Sequence, residues 1–432
     1  MRRIELARGE RVDERRLGRS GGIDAEVLNV ASRIVEDVRA RGDAALREYT
    51  ATFDKAELTG LRVPDEEIEA ALAFVGDEFV GAIGAAAVAI EDFHRRQVPQ
   101  SWFTTDGGVF LGQKVTPIER VGIYVPGGRA CYPSSVLMNA LPAVVAGVDE
   151  IVMVVPPDAD GSVNPFTLAA AVEAGVDEIY RVGGAQAVAA LAFGTESIRR
   201  VDKIVGPGNA YVTAAKKLVL GEVGIDMLAG PSEVLVLADE SAVPAFVAID
   251  LMAQAEHDPR AASYLVTTDP SLPDEVEAAL AELLEQAPRG DVIRRSLVDN
   301  GLVVVCPDLE TAVETADVIA PEHLELQVVE PLELLGSIRN AGAIFLGPWT
   351  PESVGDYVAG PNHVLPTGGT ARFSSPLSVD DFVKRSSVIS YSLEALEIDG
   401  PVVLTIAEAE GLDAHAAAVA LRLQATLDVE ER

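Results

Sequence analysis

The feature that most constrains this chain is a change of hydrophobic period near residue 120. Beyond it, short β-branched runs at 122–125, 150–155, 178–182 and 203–205 alternate with helical stretches at 134–146, 165–174, 185–193 and 210–219. A second series follows, with strand-like runs at 233–237, 263–267, 302–305 and 341–346 and helical stretches at 243–256 and 274–286. Strands that read as continuous apolar runs between helices are those of a parallel sheet covered on both faces.

The expected fold is therefore α/β, with two Rossmann-like parallel-sheet domains, a helical N-terminal segment and a small C-terminal helical tail. Helical spacing marks 25–41, 44–53 and 65–97, and the link 98–112 reads as an exposed connection or short hairpin. The divisions are 1–112 for the helical segment, 113–230 and 231–365 for the two sheet domains, and 366–432 for the tail. That tail becomes Gly- and Ser-rich from Pro366 and ends in a helix expected at 401–423. It is too short for a core of its own and must pack on another unit.

At 432 residues the chain can bury two or three cores. Its formal charge is −34, from 34 Lys+Arg against 68 Asp+Glu, which argues against nucleic acid or another polyanion as partner. Lysine occurs only at 55, 114, 203, 216, 217 and 384, and uniform acidity of this kind suggests a surface adapted to salt. No run of ~18 apolar residues escapes a charge or a breaker, so no membrane span is expected. The start, Met1-Arg2-Arg3-Ile4-Glu5-Leu6, has no apolar signal core. Two cysteines, Cys131 and Cys306, make no disulfide framework, and a cytoplasmic enzyme is the expectation.

Chemistry concentrates in a few stretches. In Val318-Ile319-Ala320-Pro321-Glu322-His323-Leu324-Glu325-Leu326 a carboxylate and an imidazole follow a proline that pushes Ala320 out of helical geometry. Placed at the mouth of a turn, Glu322 and His323 would be two proton acceptors of different basicity, suited to a reaction with two proton abstractions. Gly127-Gly128, Gly183-Gly184 and Gly206-Pro207-Gly208 mark strand-to-helix turns that let backbone approach a pyrophosphate. None is a G-x-G-x-x-G, and such turns occur in any α/β fold. Tyr124, Gln186 and Asn209 stand at or just past the strand ends, where α/β sheets bind ligands. Gln254 and His257 share a helix face just before Asp258-Pro259 stops the helix, and with a carboxylate from elsewhere they could hold a metal. Alone, His257 would read as a helix-end histidine favoured by the dipole.

Gly355-Asp356-Tyr357 and Gly360-Pro361-Asn362-His363 form a Gly/Pro-rich loop suited to holding polar groups around a ligand, and Glu410…His415 opens the last helix, with Asp413 as a cap. His94 reads as solvated in a charged helix. Cys131 has no neighbouring His or Lys to activate it, and Cys306 ends an apolar strand and reads as core.

Together these stretches resemble the histidinol dehydrogenase family. The likeness rests on Glu119-Arg-Val-Gly-Ile-Tyr-Val-Pro-Gly-Gly128, Gly183-Gly-Ala-Gln-Ala187, Gly206-Pro-Gly-Asn-Ala210 and Ala229-Gly-Pro-Ser-Glu233. It continues through Gln254-Ala-Glu-His257, Ala320-Pro-Glu-His323, Gly360-Pro-Asn-His363 and the Glu410…His415 pair. The resemblance implies an enzyme that oxidises L-histidinol to L-histidine in two NAD-dependent steps through a bound aldehyde, the last step of histidine biosynthesis. It implies one Zn2+ per subunit on Gln254, His257, Asp356 and His415, with Glu322 and His323 as proton acceptors. Ser232, His363 and Glu410 would contact substrate together with His323 and the zinc ligands, and Tyr124, Gln186 and Asn209 would contact NAD+. It also implies a homodimer in which the tail crosses to the other subunit. Two alternatives stay open: a zinc dehydrogenase of another amino alcohol, and a metal- or nucleotide-binding protein without activity, against which the intact Glu322 and His323 argue.

The charge of −34 generates a prediction. Raising ionic strength from dilute buffer toward molar salt is expected to raise the melting temperature, because the Debye length falls to about 3 Å at 1 M and screens self-repulsion. A flat or falling melting temperature in a salt series followed by circular dichroism would show that the acidic surface is not an adaptation to salt.

Overall fold

A computed structural model describes residues 1–17, 22–127 and 131–430. Gly128 of the expected Pro126-Gly127-Gly128 turn therefore lies outside the described residues. The strands are β1 (Arg2–Glu5), β2 (Trp102–Asp106), β3 (Val109–Pro117), β4 (Arg120–Tyr124), β5 (Glu150–Val155), β6 (Glu178–Arg181) and β7 (Lys203–Val205). They continue as β8 (Gly224–Ile225), β9 (Glu233–Ala238), β10 (Ala262–Thr267), β11 (Leu302–Val305), β12 (His323–Gln327), β13 (Ala343–Leu346) and β14 (Val383–Tyr391). Two compact units result, one of Met1–Gln97 with Ile118–Phe382, the other of Val98–Pro117 with Val383–Arg432.

In the first unit a parallel five-stranded sheet runs β6-β5-β4-β7-β8. Alternate residues feed opposite cores. Val121, Ile123 and Val125 pack with the helices Asp65–Arg95 and Pro133–Ala146, and Tyr124, Val152 and Val154 with Ala25–Arg41 and Gly184–Phe193. A six-stranded parallel sheet runs β1-β11-β10-β9-β12-β13. Set aside β1, and both sheets have the same order, in which the direction of strand addition reverses beside the first strand, β4 or β9. That is the Rossmann-like switch, and the α/β expectation holds. The helix Asp65–Arg95 has the length and composition of a membrane span, but Ile83, Ala86, Ala87 and Ile90 pack into the first sheet's core.

Three of the differences between the structure and the sequence reading concern β1, β12 and the closing helix. β1 was not expected, since Ile4 is its only buried residue and four residues carry no pattern. It pairs with β11 from Arg2↔Leu302 to Glu5↔Val305, so the chain's first residues complete the second sheet. β12 occupies what read as a turn. Ala320 (φ 46°) ends the helix Leu309–Ile319 in left-handed geometry, and the strand begins at His323. The closing helix expected at 401–423 is two helices, Leu393–Ala409 and Asp413–Glu430, broken at Gly411 (φ 71°). Asp413 is the first residue of the second helix, not a cap before it.

The second unit is an antiparallel β14-β3-β2 sheet with those two helices packed on each other. The expected hairpin at 98–112 is β2 and the start of β3, turned by Gly107 and Gly108 at φ 53° and 81°. The first of its helices buries only Ala395, Gly400 and Ala407 and leaves Ile398, Val402 and Ile406 more than half exposed.

β12 carries an unusual pattern for a strand buried on both faces. Leu324 and Leu326 point to one core, while His323, Glu325 and Gln327 share the other face. Gln327 Nε2 donates to Asp250 Oδ2 (2.9 Å), on the covering helix Pro244–Ala255, and to Glu325 Oε2 (3.0 Å). Glu325 Oε1 accepts from the Glu352 N–H (3.0 Å). Burial, then the neighbouring Asp250 charge, pushes Glu325 up to about 8. The folded chain thus keeps a proton that the unfolded chain releases near 4.5, so this group's contribution to stability declines as pH rises from about 4.5 to about 8. Glu325→Gln has no such proton. Its stability relative to the parent is expected to rise between pH 5.5 and 8, by up to about 1.4 kcal/mol per pH unit. Melting temperatures across that range test this, and a pH-independent difference would mean Glu325 is not the proton holder.

Candidate functional site

The candidate catalytic residues gather at the amino edge of the second sheet. Glu322 immediately precedes β12, His323 is its first residue, and across the register His323 lies opposite Val234 of β9. Both side chains are buried instead of standing at the open mouth of a turn. Glu233 orders them through its own backbone. Its N–H donates to Glu322 Oε2 (2.8 Å), and its carbonyl accepts from His323 Nδ1 (3.1 Å). A carbonyl can only accept, so the proton of neutral His323 sits on Nδ1 and the lone pair on Nε2. Nε2 is buried and finds no hydrogen-bond partner among the described residues. Burial, the largest cause, lowers His323 to about 3 and raises Glu322 well above its usual range.

The helix Glu352–Tyr357 brings Glu352 and Asp356 to the same imidazole. Glu352 Oε1 is 3.7 Å from His323 Nδ1, and Asp356 Oδ1 is 3.9 Å from His323 Nε2. Burial holds Asp356 up at about 6 and Glu352 well above the carboxylate range. His363 is oriented in the same manner, Nδ1 donating to the Asp356 carbonyl (3.1 Å) and Nε2 lying 3.4 Å from Ser135 Oγ. Burial lowers it to about 4. A cavity of about 580 Å³ opens here, lined among others by Phe93, His323, Phe345, Asp356 and His363.

His94, expected in solvent, is fully buried. Its Nδ1 donates to the Ile90 carbonyl (2.7 Å) and its Nε2 faces Asn362 Nδ2 at 3.4 Å. Asn362 also donates to the Met138 carbonyl (2.7 Å), so a core histidine anchors the loop that presents His363. Charged neighbours in sequence hid this, because they occupy the helix's other faces.

The end of Pro244–Ala255 supplies Gln254 and His257. Gln254 is fully buried, and neither Oε1 nor Nε2 has a partner among the described residues. A buried amide left unpaired costs about 1–3 kcal/mol per group unless something fills its place. His257, Glu352 and Asp356 each offer a ligand atom, all within 4.8 Å of one another. The donor set of imidazole, carboxylate and amide oxygen suits a zinc-like ion. Glu352 escaped the sequence reading. Its signal was the four-residue spacing to Asp356 on one short helix, which shares a face. Ser232 is half-buried beside Glu233, and its carbonyl accepts from the Ala262 N–H (3.0 Å). Glu410 and His415 belong to the second unit, where both are exposed at the break between its helices.

Tyr124, Gln186 and Asn209 lie at the carboxyl edge of the first sheet. Tyr124 ends β4, and its hydroxyl accepts from the Gly184 N–H (3.0 Å). Burial lifts it to about 12. Gln186 is buried in the first turn of Gly184–Phe193, with Oε1 unpartnered among the described residues. Asn209 is exposed and caps Ala210–Val219, accepting from the N–H groups of Tyr211 (3.0 Å) and Val212 (3.2 Å). Cys131 is exposed and Cys306 buried, its thiol pushed up to about 11 by burial, as a core cysteine requires.

A family model described as histidinol dehydrogenase matches residues 18–423. The chain is 56% identical over 401 residues to the histidinol dehydrogenase of Syntrophotalea carbinolica, covering 92% of this chain and 93% of that one. It is 54% identical over 412 residues to that of Geobacter sulfurreducens, covering 94% and 96%. The solved structure of histidinol dehydrogenase from Elizabethkingia anophelis superposes with a TM-score of 0.93 at 40% identity, covering 99% of this chain and 98% of that one. With likeness of this extent in both sequence and fold, the chain belongs to the histidinol dehydrogenase family, NAD-dependent oxidoreductases of histidine biosynthesis.

Proposed function

We propose that this chain oxidises L-histidinol to L-histidine in two NAD-dependent steps through a bound aldehyde, using zinc held by Gln254, His257, Asp356 and His415 of the partner subunit in a homodimer. The observation that carries the reading is the convergence of His257, Glu352 and Asp356, whose ligand atoms lie within 4.8 Å of one another, with Glu352 and Asp356 also 3.7 and 3.9 Å from the His323 ring nitrogens. When bound, zinc supplies a Lewis acid that orients and polarises the substrate, and NAD+ supplies the hydride acceptor. His323, neutral and anchored through Nδ1, presents Nε2 to take the alcohol proton. Glu322, kept basic by burial once ionised, takes the proton of the water that adds to the aldehyde. Ser232, His363 and Glu410 contact the substrate, and Tyr124, Gln186 and Asn209 the dinucleotide, with the helices that follow Gly183 and Asn209 offering their N-termini to the pyrophosphate. Keeping the aldehyde in one buried site avoids releasing a reactive intermediate. A biosynthetic enzyme of this kind belongs in the cytoplasm.

Two predictions test the reading. Glu322→Gln and His323→Asn are expected to separate the half-reactions, and with histidinaldehyde as substrate the His323 variant should retain more activity than the Glu322 variant. Equal losses on alcohol and aldehyde would reject the division of labour.

The shared site is tested by mixing. Gln254→Ala and His415→Ala homodimers should each lack activity and bind zinc weakly, because losing one ligand of a set commonly unmakes a site. A purified heterodimer of the two, differently tagged, keeps one site with all its ligands and should recover about half of parental activity and zinc. A folded heterodimer without recovery would mean that each chain builds its site alone.

A further inference from the structure

A buried ion pair outside both candidate sites holds the backbone that connects them. Lys216 lies on Ala210–Val219, and Asp226 directly follows β8. Their side chains are 3% and 1% exposed, with Nζ 2.5 Å from Oδ1. Between them they satisfy both polar groups of a single residue. Gly206 donates its N–H to Asp226 Oδ2 (2.8 Å), and its carbonyl accepts from Lys216 Nζ (2.9 Å). Gly206 starts the turn that leads to Asn209, with φ 109°, and a Cβ there would stand 2.2 Å from the Tyr124 carbonyl oxygen. The turn is thus pressed against the end of β4 in a conformation only glycine tolerates.

Asp226 also begins the segment 226–232, which carries the chain from the first sheet to Ser232 and Glu233. Thr213 Oγ1, on the same helix as Lys216, donates to the Ala229 carbonyl (3.1 Å) in that segment. Further along, the Gly230 N–H donates to Thr367 Oγ1 (2.6 Å), and the Gly368 N–H to Glu233 Oε2 (3.2 Å). In a chain with only six lysines, one is spent on this buried position. A compact ammonium with three donors reaches both a carboxylate and a carbonyl there, which a planar guanidinium fits poorly.

We propose that Lys216 and Asp226 are positioning residues for the dinucleotide: the pair fixes the Gly206–Asn209 turn against the start of the crossover that leads on to Ser232 and Glu233, so that the turn is held in place for dinucleotide binding. The inference rests on the assignment of the Asn209 turn to NAD+ and adds to it the source of the turn's rigidity. A rigid turn lowers the ordering cost of binding, so losing the clamp weakens dinucleotide binding more than it slows bound substrates.

The test uses the zinc-loaded enzyme. Lys216→Met/Asp226→Asn removes both charges at similar volume, leaving no lone buried charge. The double variant is expected to raise KM for NAD+ and Kd for NADH, the latter read by fluorescence, by about tenfold or more, while KM for histidinol and zinc content stay within about twofold. In the parent enzyme, NADH should slow amide exchange in peptides covering both 203–212 and 223–230. Asn209→Ala separates the two levels of the argument. If it weakens NADH binding while the double variant does not, the clamp is overturned and the turn assignment stands. If Asn209→Ala has no effect, the assignment falls and the inference falls with it. Should the double variant not fold, exchange in the parent decides, and protection confined to 203–212 overturns the proposal.

Discussion

The architecture of the first unit depends on the shortness of one connection. β8 ends at the carboxyl edge of the first sheet, and β9 begins the second sheet only after residues 226–232. Seven residues span at most roughly 25 Å when fully extended. A carboxyl edge of one Rossmann-like sheet is therefore tethered to the amino edge of the next. Open α/β sheets bind ligands at the carboxyl ends of their strands, and Tyr124, Gly184 and Gly206 stand at those ends in the first sheet. Glu322 and His323 stand instead at the amino edge of the second sheet, the edge to which the tether leads.

That placement has an electrostatic consequence. The amino edge is crowded with acids: Glu322, Glu325 and Glu352 are buried, and Asp356 and Asp250 stand beside them. Burial of so many carboxyls favours their neutral forms and is costly unless cations or hydrogen bonds answer it. Part of the answer is on the chain itself, in the backbone N–H groups of Glu233 and Glu352 and the amide of Gln327. What remains is the cluster of His257, Glu352 and Asp356, the arrangement a divalent cation would neutralise. The same acids shape the imidazoles. With both Nδ1 atoms tied to carbonyls, His323 and His363 keep their Nε2 atoms as acceptors.

The second unit follows a different logic. An antiparallel three-stranded sheet and two helices bury little of their own apolar surface, with Trp102, Phe103, Ile389, Ile398, Val402 and Ile406 each at least half exposed. A unit of 70 residues, 98–117 with 383–432, has a small interior, and domains of that size are marginally stable. Exposed apolar side chains in that number ask for a covering surface, and the subunit exchange proposed above would provide one.

The residues' own pattern was enough to establish the α/β class and the alternation of the two strand series. Parallel strands such as β5 and β9 must be apolar on both faces, and turns at Gly183 and Gly206 must break the run, so one-dimensional spacing carries those elements. Tertiary structure decided what spacing cannot encode. β1 is too short and too charged to read as a strand until β11 supplies its partner. β12 escaped because Glu322 and His323, following Pro321, read as a turn, and nothing local shows that His323, Glu325 and Gln327 face Asp250 and Glu352 across a buried layer. His94 read as solvated for the same reason, since nothing local announces that Asn362, distant in sequence, closes over it. Glu352, four residues before Asp356, joined the site only once the short helix brought both to His323. In each case the polar side chain is satisfied by a group far along the chain, and long-range satisfaction of a buried polar atom leaves no local period to read.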